Sequence, residues 1–293
     1  MTKRILLLAV ASIIAVSSKQ MLADVPNFPE TNAPKIAAPS SEKNGATAID
    51  EYAGTLYRQI DFSGSERLNA DVFKKALTGY LNLKSADKLG NRSNILTVCD
   101  FSLPSSNKRM WILDLQSKKV LLNDLVAHGQ GSGDMMATAF SNTNNSHQSS
   151  LGFYVTGDTY TGEHGTSLRL HGQDRGYNDA AFDRGIVVHG AAYVNNAYAA
   201  ANQRIGRSWG CPAVNDQISQ KVINYIKGGS CLFIYANQKQ YLQSAYWVNK
   251  KVDRLPGSDL RTPAAVPANT QIAAAPGKAD SAIAVPTLPV SLF

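Results

Sequence analysis

Apolar side chains recur at helical spacing in two stretches of the chain. Either Ser65 or Asn69 can cap the first, and either Asn215 or Asp216 can cap the second, which ends at Gly228-Gly229. The apolar stripe of the first contains Leu68, Val72, Ala76 and Tyr80. The apolar stripe of the second contains Ile218, Val222, Ile223 and Ile226. We predict two amphipathic helices, of which the first packs against a sheet.

Short apolar runs between these helices predict strands. They cover residues 95–99, 110–115, 120–122, 152–156, 167–170 and 186–188. A further buried strand runs from Cys231 to Tyr235, and Gln116-Ser117-Lys118 joins the second run to the third as a hairpin. Many strands, frequent Gly and Asn turns, and helices on the flanks predict a mainly β fold, either a sandwich or a barrel-like domain.

The first residues have the order of a secretory signal peptide. Lys3 and Arg4 precede an apolar run from Ile5 to Val16, which is shorter than the roughly 20 residues of a transmembrane helix. We expect cleavage after Ala23, and an uncleaved membrane anchor is the alternative. Cleavage of residues 1–23 predicts a protein exported to the periplasm or cell envelope, with no stable membrane span.

The rest of the chain divides by composition. Residues 24–50 and 251–293 have few large apolar side chains and many Ala, Pro, Ser and Thr residues. They cannot bury enough surface to offset the entropy of ordering the chain. We expect a flexible linker in the first and a disordered tail in the second. Between them we expect a helical extension over residues 51–94, packed on a main domain over residues 95–250.

Net charge adds a limited constraint. The chain carries a formal charge of +7, and loss of the signal peptide would remove Lys3, Arg4 and Lys19 but no acidic residue. The mature chain would be mildly basic, and its sequence has no concentrated Lys and Arg stripe with interleaved aromatic residues. We therefore expect no nucleic-acid partner.

Two short segments hold the candidate chemistry. In residues 184–191, three β-branched side chains favour an extended strand, and His189 stands at its end, before Gly190. In residues 206–213, Cys211 stands directly before Pro212 and shortly before the second predicted helix. A rigidly held base and a thiol in a fixed loop suit nucleophilic catalysis, whereas an ordinary core histidine is the alternative for His189.

We expect the surroundings of Cys211 to favour its thiolate. The amino-terminal end of the second helix and the positive charge of Arg207 would both stabilise the ion, and an imidazole within reach would complete the activation. The backbone N–H groups of Gly210 and Cys211 are candidates to bind a tetrahedral oxyanion.

The order His189-Gly190 and then Ser208-x-Gly210-Cys211 resembles the signature of the murein L,D-transpeptidase catalytic-domain family. Other stretches resemble the Gly-Cys-Pro-Ala branch of these cysteine enzymes, namely residues 128–133, 149–152, 160–162, 164–168, 178–181, 184–187 and 210–213. They lie within residues 95–236 and keep their order along the chain. The match is therefore more specific than a lone Gly-Cys pair.

The resemblance implies a peptidoglycan L,D-transpeptidase that needs no cofactor and no metal. Cys211 would attack the bond between meso-diaminopimelate and D-Ala in a tetrapeptide stem, release D-Ala, and pass the acyl group to an amine or to water. His189 would be the general base and acid, and the Gly190 carbonyl would orient its ring. Ser208 would support the loop with Gly210. Stem peptides would be the partners, and we expect a monomer.

Two positions depart from the wider family, which has His before the Gly-Cys pair and Arg two residues after the Cys. This chain has Trp209 and Ala213 there, which leaves the partner of the substrate carboxylate open. Arg169 and Arg175 are possible cations. The main candidates for substrate binding are Arg184, Arg207, Tyr193, Asn178, His171 and Trp209.

Three other functions are compatible with the sequence. Resolution of the thioester by water alone would make the protein an L,D-carboxypeptidase. A zinc-dependent peptidoglycan peptidase is suggested by His164, His171, Asp174 and His189, although these lack the spacing of a compact zinc motif. A non-catalytic wall-binding module would also suit an exported chain with flexible ends.

Cys99 and Cys231 both fall in apolar, strand-like runs. Buried free thiols and a mutual disulfide are both compatible with these positions, and we favour free thiols. A disulfide from Cys211 to either one would remove the proposed nucleophile.

Overall fold

The computed structural model describes residues 44–256. The predicted signal peptide, most of the predicted linker and most of the predicted tail lie outside these residues. No helix within them is both long and apolar enough to cross a bilayer.

An eight-stranded sheet is the main element of the structure, which confirms the predicted mainly β fold. Its strands are β1 (Ile95–Asp100), β2 (Met110–Asp114), β3 (Lys119–Asp124), β4 (Gly152–Gly162), β5 (Gly165–Gly172), β6 (Val187–Ala191), β7 (Ala213–Asn215) and β8 (Cys231–Tyr235). Their order across the sheet is β3-β2-β1-β8-β4-β5-β6-β7. The pairs β1–β8 and β6–β7 are parallel, and the other neighbours are antiparallel.

The two edges of the sheet approach each other through the chain that follows β3. Ala127 forms an antiparallel bridge with Ala213 of β7, and the Ala127 N–H donates to the Ala213 carbonyl over 2.8 Å. Gly129 and Ser208 form a second bridge beside it. The sheet is therefore nearly closed, which accounts for the barrel-like character expected from the sequence.

Short helices flank the sheet. They are α1 (Asn44–Gln59), α2 (Ala70–Ser85), α3 (Asn196–Asn202), α4 (Asp216–Ile226), α5 (Lys239–Ser244) and α6 (Tyr246–Asn249). The two predicted helices are α2, which Asn69 caps, and α4, which Asn215 caps. Helix α1 is not one of the two helices that apolar periodicity predicted; it begins inside the predicted linker and ends inside the predicted helical extension. Its buried side chains include Ala53 and Leu56.

Cys99 and Cys231 lie on the neighbouring parallel strands β1 and β8. Cys231 is opposite Leu96, and Cys99 is opposite Ile234. The two thiols are therefore three residues out of register and project from opposite faces of the sheet. Both are buried and free, as expected, and Cys211 is free as well.

Helix α2 packs closely on β4 at Gly79. A Cβ atom at this position would overlap the ring of Phe153, which is fully buried. We predict that Gly79→Ala lowers the free energy of unfolding by about 1–3 kcal/mol, because the ring must shift within a packed core. The control is Gly54→Ala in α1, whose Cβ would lie 3.5 Å from the end of the Arg58 side chain. Because alanine has a higher helix propensity than glycine, Gly54→Ala should raise the free energy of unfolding by about 0.5–1 kcal/mol. Urea denaturation measures the free energy of unfolding of both variants. Equal changes in Gly79→Ala and Gly54→Ala would contradict the close packing at Gly79.

Candidate active site

His189 lies on β6 with its side chain almost completely buried, at 4% exposure. Its Nδ1 is 2.9 Å from the carbonyl oxygen of Gly190. A carbonyl only accepts hydrogen bonds, so this contact requires the proton on Nδ1 of a neutral ring. The lone pair on Nε2 is then free to accept a proton. The structure thus brings His189 and Gly190 into the relation that the resemblance implied.

Cys211 stands two residues before β7, and β7 pairs in parallel with β6 so that His189 is opposite Ala213. The Cys211 Sγ accepts a long hydrogen bond of 3.5 Å from the Val187 N–H and donates to the Gly185 carbonyl over 3.8 Å. The sulfur therefore lies beside the start of β6. Val187 and His189 share a face of that strand and are about 7 Å apart along it. Within the described residues no hydrogen bond joins the sulfur to the imidazole.

The loop before Cys211 depends on Gly210 and Ser208. Gly210 has φ +126°, and a Cβ there would lie 2.8 Å from the Gln148 carbonyl oxygen, so both its conformation and its surroundings require glycine. Ser208 Oγ accepts from the Gly210 N–H over 3.1 Å and donates to the Cys211 carbonyl over 2.6 Å. This is the placement expected of a side chain that supports the loop.

The peptide between Gly210 and Cys211 has one fixed orientation. Ser149 Oγ donates to the Gly210 carbonyl over 3.1 Å, and a trans peptide points its N–H the opposite way. The Cys211 N–H has no hydrogen-bond partner among residues 44–256. The Gly210 N–H, in contrast, is already bound to Ser208. Of the two amides that the sequence suggested for an oxyanion, only that of Cys211 is therefore available.

The thiolate of Cys211 is less favoured than the sequence suggested. Burial raises the pKa of this thiol, and the Val187 N–H and the charge of Arg184 only partly oppose that rise. The expected help from α4 is absent because the strand β7 separates Cys211 from the helix start at Asp216, and helix-end effects fade within about one turn. The expected help from Arg207 is also absent, since this side chain pairs with Asp134 at 3.2 Å.

His189 is shifted toward its neutral form. Burial lowers the pKa of its imidazole, the Gly190 carbonyl opposes that shift, and the positive charge of a protonated His164 adds to it. Cys211 and His189 are therefore a neutral thiol and a neutral imidazole at neutral pH. Such a pair transfers its proton during attack and does not hold a preformed ion pair.

Arg184 forms four hydrogen bonds with the segment over residues 141–150. Its two terminal nitrogens donate to the Ser141 carbonyl at 2.8 Å, Ser150 Oγ at 2.5 Å, Ser146 Oγ at 3.2 Å and the Gln148 carbonyl at 2.9 Å. All of these acceptors are neutral, and Arg184 has no ion pair with a carboxylate in the described part of the chain. Its charge is therefore available to an anion formed at Cys211.

Two aromatic candidates also lie near the thiol. Burial and the nearby Cys211 raise the pKa of Tyr193 to about 12, and its ring packs where a Cβ of Gly206 would be. Trp209 is 72% exposed and stacks on His147 with 5.0 Å between ring centroids. Tyr193 therefore lies near the sulfur, whereas the Trp209 ring is presented to solvent.

Other candidates occupy different places. Asn178 is fully buried, donates to the Phe153 carbonyl and accepts from the Asp174 N–H, which is a structural role and does not present the amide to a ligand. His171 is exposed and stacks on Phe182 at 5.1 Å. Arg169 lies over the same Phe182 ring and over Tyr160. Arg175 is exposed on the surface.

His164 is a site neighbour that sequence reasoning did not assign to the cysteine chemistry. It stacks on His189 with 4.4 Å between ring centroids, and only the zinc alternative had grouped these two histidines. Asp174, of the same zinc set, is buried and binds the Phe153 N–H and the Tyr241 hydroxyl. Within the described residues, no three or more His, Cys, Asp and Glu side chains converge as a metal site would require. The proposed zinc set is thus not assembled.

Comparisons with known proteins agree with one family. A family model described as the L,D-transpeptidase catalytic domain matches residues 64–235, more than half of the chain. The search of curated proteins found no match to this chain.

Several solved structures, among them L,D-transpeptidases, are similar to parts of this chain. An L,D-transpeptidase from Mycobacterium smegmatis is 11% identical with a TM-score of 0.31, and the match covers 49% of this chain and 59% of that one. An L,D-transpeptidase from Xylanimonas cellulosilytica is 14% identical with a TM-score of 0.30, over 70% and 100%. The helical cell shape determining protein Pgp2 from Campylobacter jejuni is 14% identical with a TM-score of 0.32, over 56% and 57%. The chain thus spans 59% of the length of the mycobacterial protein.

The contrast between Arg184 and Arg207 gives a test of the electrostatics. We predict that Arg184→Gln raises the pKa of Cys211 further, because it removes the cation that opposes burial. Arg207→Gln should leave that pKa unchanged, since Arg207 is paired with Asp134. The pH dependence of iodoacetamide alkylation measures the thiol pKa in both. Arg184→Lys, which keeps the charge, should shift it less than the Gln variant. A shift of the Cys211 pKa in Arg207→Gln, without a shift in Arg184→Gln, would show that Arg207 and not Arg184 stabilises the thiolate.

Proposed function

This chain belongs to the L,D-transpeptidase catalytic domain family, and we propose that it remodels peptidoglycan stem peptides through a thioester on Cys211. The observation that carries the proposal is the parallel pair β6–β7, which sets Cys211 beside the strand of His189. The hydrogen bond from Nδ1 to Gly190 leaves Nε2 as the basic atom. These are the parts that an acyl transfer by a cysteine needs.

In the first half of the proposed reaction, Cys211 attacks the carbonyl carbon between meso-diaminopimelate and D-Ala. His189 Nε2 takes the thiol proton as the carbon–sulfur bond forms, and the Cys211 N–H donates to the oxyanion. The tetrahedral intermediate then collapses, and His189 returns the proton to the departing amine. D-Ala leaves and the acyl group stays on sulfur.

In the second half, an amine of a neighbouring stem attacks the thioester and His189 accepts its proton. The new amide is a crosslink between two third residues, and the thiol is regenerated. Attack by water instead gives the L,D-carboxypeptidase activity. Both outcomes share the same first half, so the nucleophile and base are the same in either case.

The substrate contacts are also part of the proposal. Arg184, Arg207, Tyr193 and Trp209 are the candidates that lie on the segments around Cys211. Arg184 offers a charge without an ion pair, and the exposed ring of Trp209, two residues before Cys211, offers an apolar surface. The charge of Arg184 would attract the carboxylate of the stem without a direct hydrogen bond, because its terminal N–H groups already donate within the protein.

The cellular setting follows the same proposal. Residues 1–23 would direct export to the periplasm or cell envelope, and residues 251–293 would be a spacer after the catalytic domain. Residues 51–94, which contain α2, would be the extension that packs on that domain. Peptidoglycan stem peptides would be the partners of a monomeric enzyme.

Product analysis tests the reaction. With purified disaccharide tetrapeptide, the wild type should release D-Ala and form dimer or tripeptide, as seen by mass spectrometry. Cys211→Ala should abolish release, and His189→Gln should lower it by about 10²- to 10⁴-fold because proton transfer by His is lost. Cys99→Ala, which removes a thiol buried in β1, is the matched control and should keep the activity.

Three results would point elsewhere. Full activity of Cys211→Ala would end the thiol mechanism. Loss of wild-type activity on adding a chelator would favour the zinc peptidase. Binding of sacculi without release of D-Ala would favour the wall-binding module.

A carbapenem β-lactam tests the reactivity of the thiol by a separate route. Its strained amide imitates the acyl donor, so we predict one adduct per chain, mapped to Cys211 by peptide mass spectrometry. Cys99 and Cys231 are internal controls, because both are buried and should not react in the folded protein. Labelling of either one in place of Cys211 would contradict the proposed site.

A further inference from the structure

His164 stands at the tip of the hairpin formed by β4 and β5. Gly162 pairs with Gly165, so Glu163 and His164 form the turn, and Gly165 adopts φ +71°. From this turn the His164 ring lies nearly parallel to that of His189, with centroids 4.4 Å apart and an angle of 21° between the planes. The hairpin tip therefore rests on the proposed base.

The sheet register places the hairpin tip at the carboxyl end of β6. β5 runs antiparallel to β6 with Leu168 opposite Val188, which sets the following pair, Ser167 and His189, side by side. The turn continues past the carboxyl end of β6. His164 is exposed while His189 is 4% exposed, so the outer ring covers the inner one from solvent.

The titratable group that acts on the His189 ring is His164 from the hairpin. Cys211 precedes β7, and Arg184 and Tyr193 lie on the turns before and after β6. Within residues 44–256, His189 forms no ion pair with a carboxylate. The Gly190 carbonyl holds one ring nitrogen. The flat contact with His164 is a second constraint on the ring.

We propose that His164 is a positioning residue for His189, which fixes the plane of the His189 ring by stacking flat against it. The proposal rests on the proposed function, in which His189 is the base. Rotation of the His189 ring about its Cβ–Cγ bond would break the stack and the bond to Gly190 together. A protonated His164 also repels an imidazolium at His189, and this effect lowers the pKa of His189 in addition to the effect of burial.

Substitution of His164 separates the two effects. His164→Ala removes both the cover and the charge, and each loss raises the pKa of His189. His164→Phe keeps a ring over His189 but removes the charge, so its pKa should fall between those of the wild type and the Ala variant. NMR titration of the His189 ring protons measures these values directly. The order wild type, Phe, Ala is the expected result.

The rate of Cys211 alkylation reports the same coupling. We expect His164→Ala to lower the rate of Cys211 alkylation at neutral pH by about 10-fold, because the His189 ring is less well oriented toward the thiol. The pH below which the alkylation rate falls should also move to a higher value, because the pKa of His189 rises. His164→Phe should keep the rate within about twofold of the wild type, since its ring preserves the aim. Thr161→Ala is the control, since Thr161 is exposed on the same hairpin. It should match the wild type in both measurements.

An unchanged His189 pKa and alkylation profile in His164→Ala would overturn the proposal, as would an equal change in Thr161→Ala. These measurements need no peptidoglycan. If they follow the expected order but the wild type never releases D-Ala from tetrapeptide, the proposed function fails while the role of His164 stands. If D-Ala is released and the profiles do not move, the role of His164 fails alone.

Discussion

The hydrogen bonds that join β6 to β7 are the constraint on which the site depends. They set His189 opposite Ala213 and so bring together two segments that are distant along the chain. The short strand β7 is held from its other side by the bridge from Ala127. Beneath β6, the first turn of α4 packs so closely that a Cβ on Gly190 would lie 2.9 Å from Ser219 Oγ. Loss of this pairing would separate His189 from the segment of Cys211 without altering either side chain.

The electrostatics of this arrangement favour a thiol that stays protonated until a base accepts its proton. Burial raises the pKa of Cys211 and lowers that of His189, so each group is neutral before substrate arrives. Arg184 supplies a nearby positive charge whose hydrogen bonds go only to neutral atoms. A neutral thiol is less open to oxidation in an oxidising compartment, because the thiolate is the reactive form. The Cys211 thiol therefore becomes reactive only as it loses its proton.

Local patterns in the sequence predicted the elements but not all of the site. The stripe beginning at Leu68, with its Asn69 cap, gave α2 because periodicity and capping are local properties. β7 was not predicted, since a three-residue strand after Pro212 is held by its partners and not by its own propensity. For the same reason Arg207 seemed closer to the thiol than Arg184, whose position depends on contacts with residues 141–150. His164 also reaches His189 only through the sheet register.

The most direct test of the account is the capture of the covalent intermediate. Wild-type protein would be mixed with disaccharide tetrapeptide, quenched in acid within the first turnover, and weighed intact by mass spectrometry. The account predicts a gain equal to the acyl part of the stem without D-Ala, labile to hydroxylamine and mapped to Cys211. Release of D-Ala with no acyl group on the protein, or with the group on another residue, would contradict it.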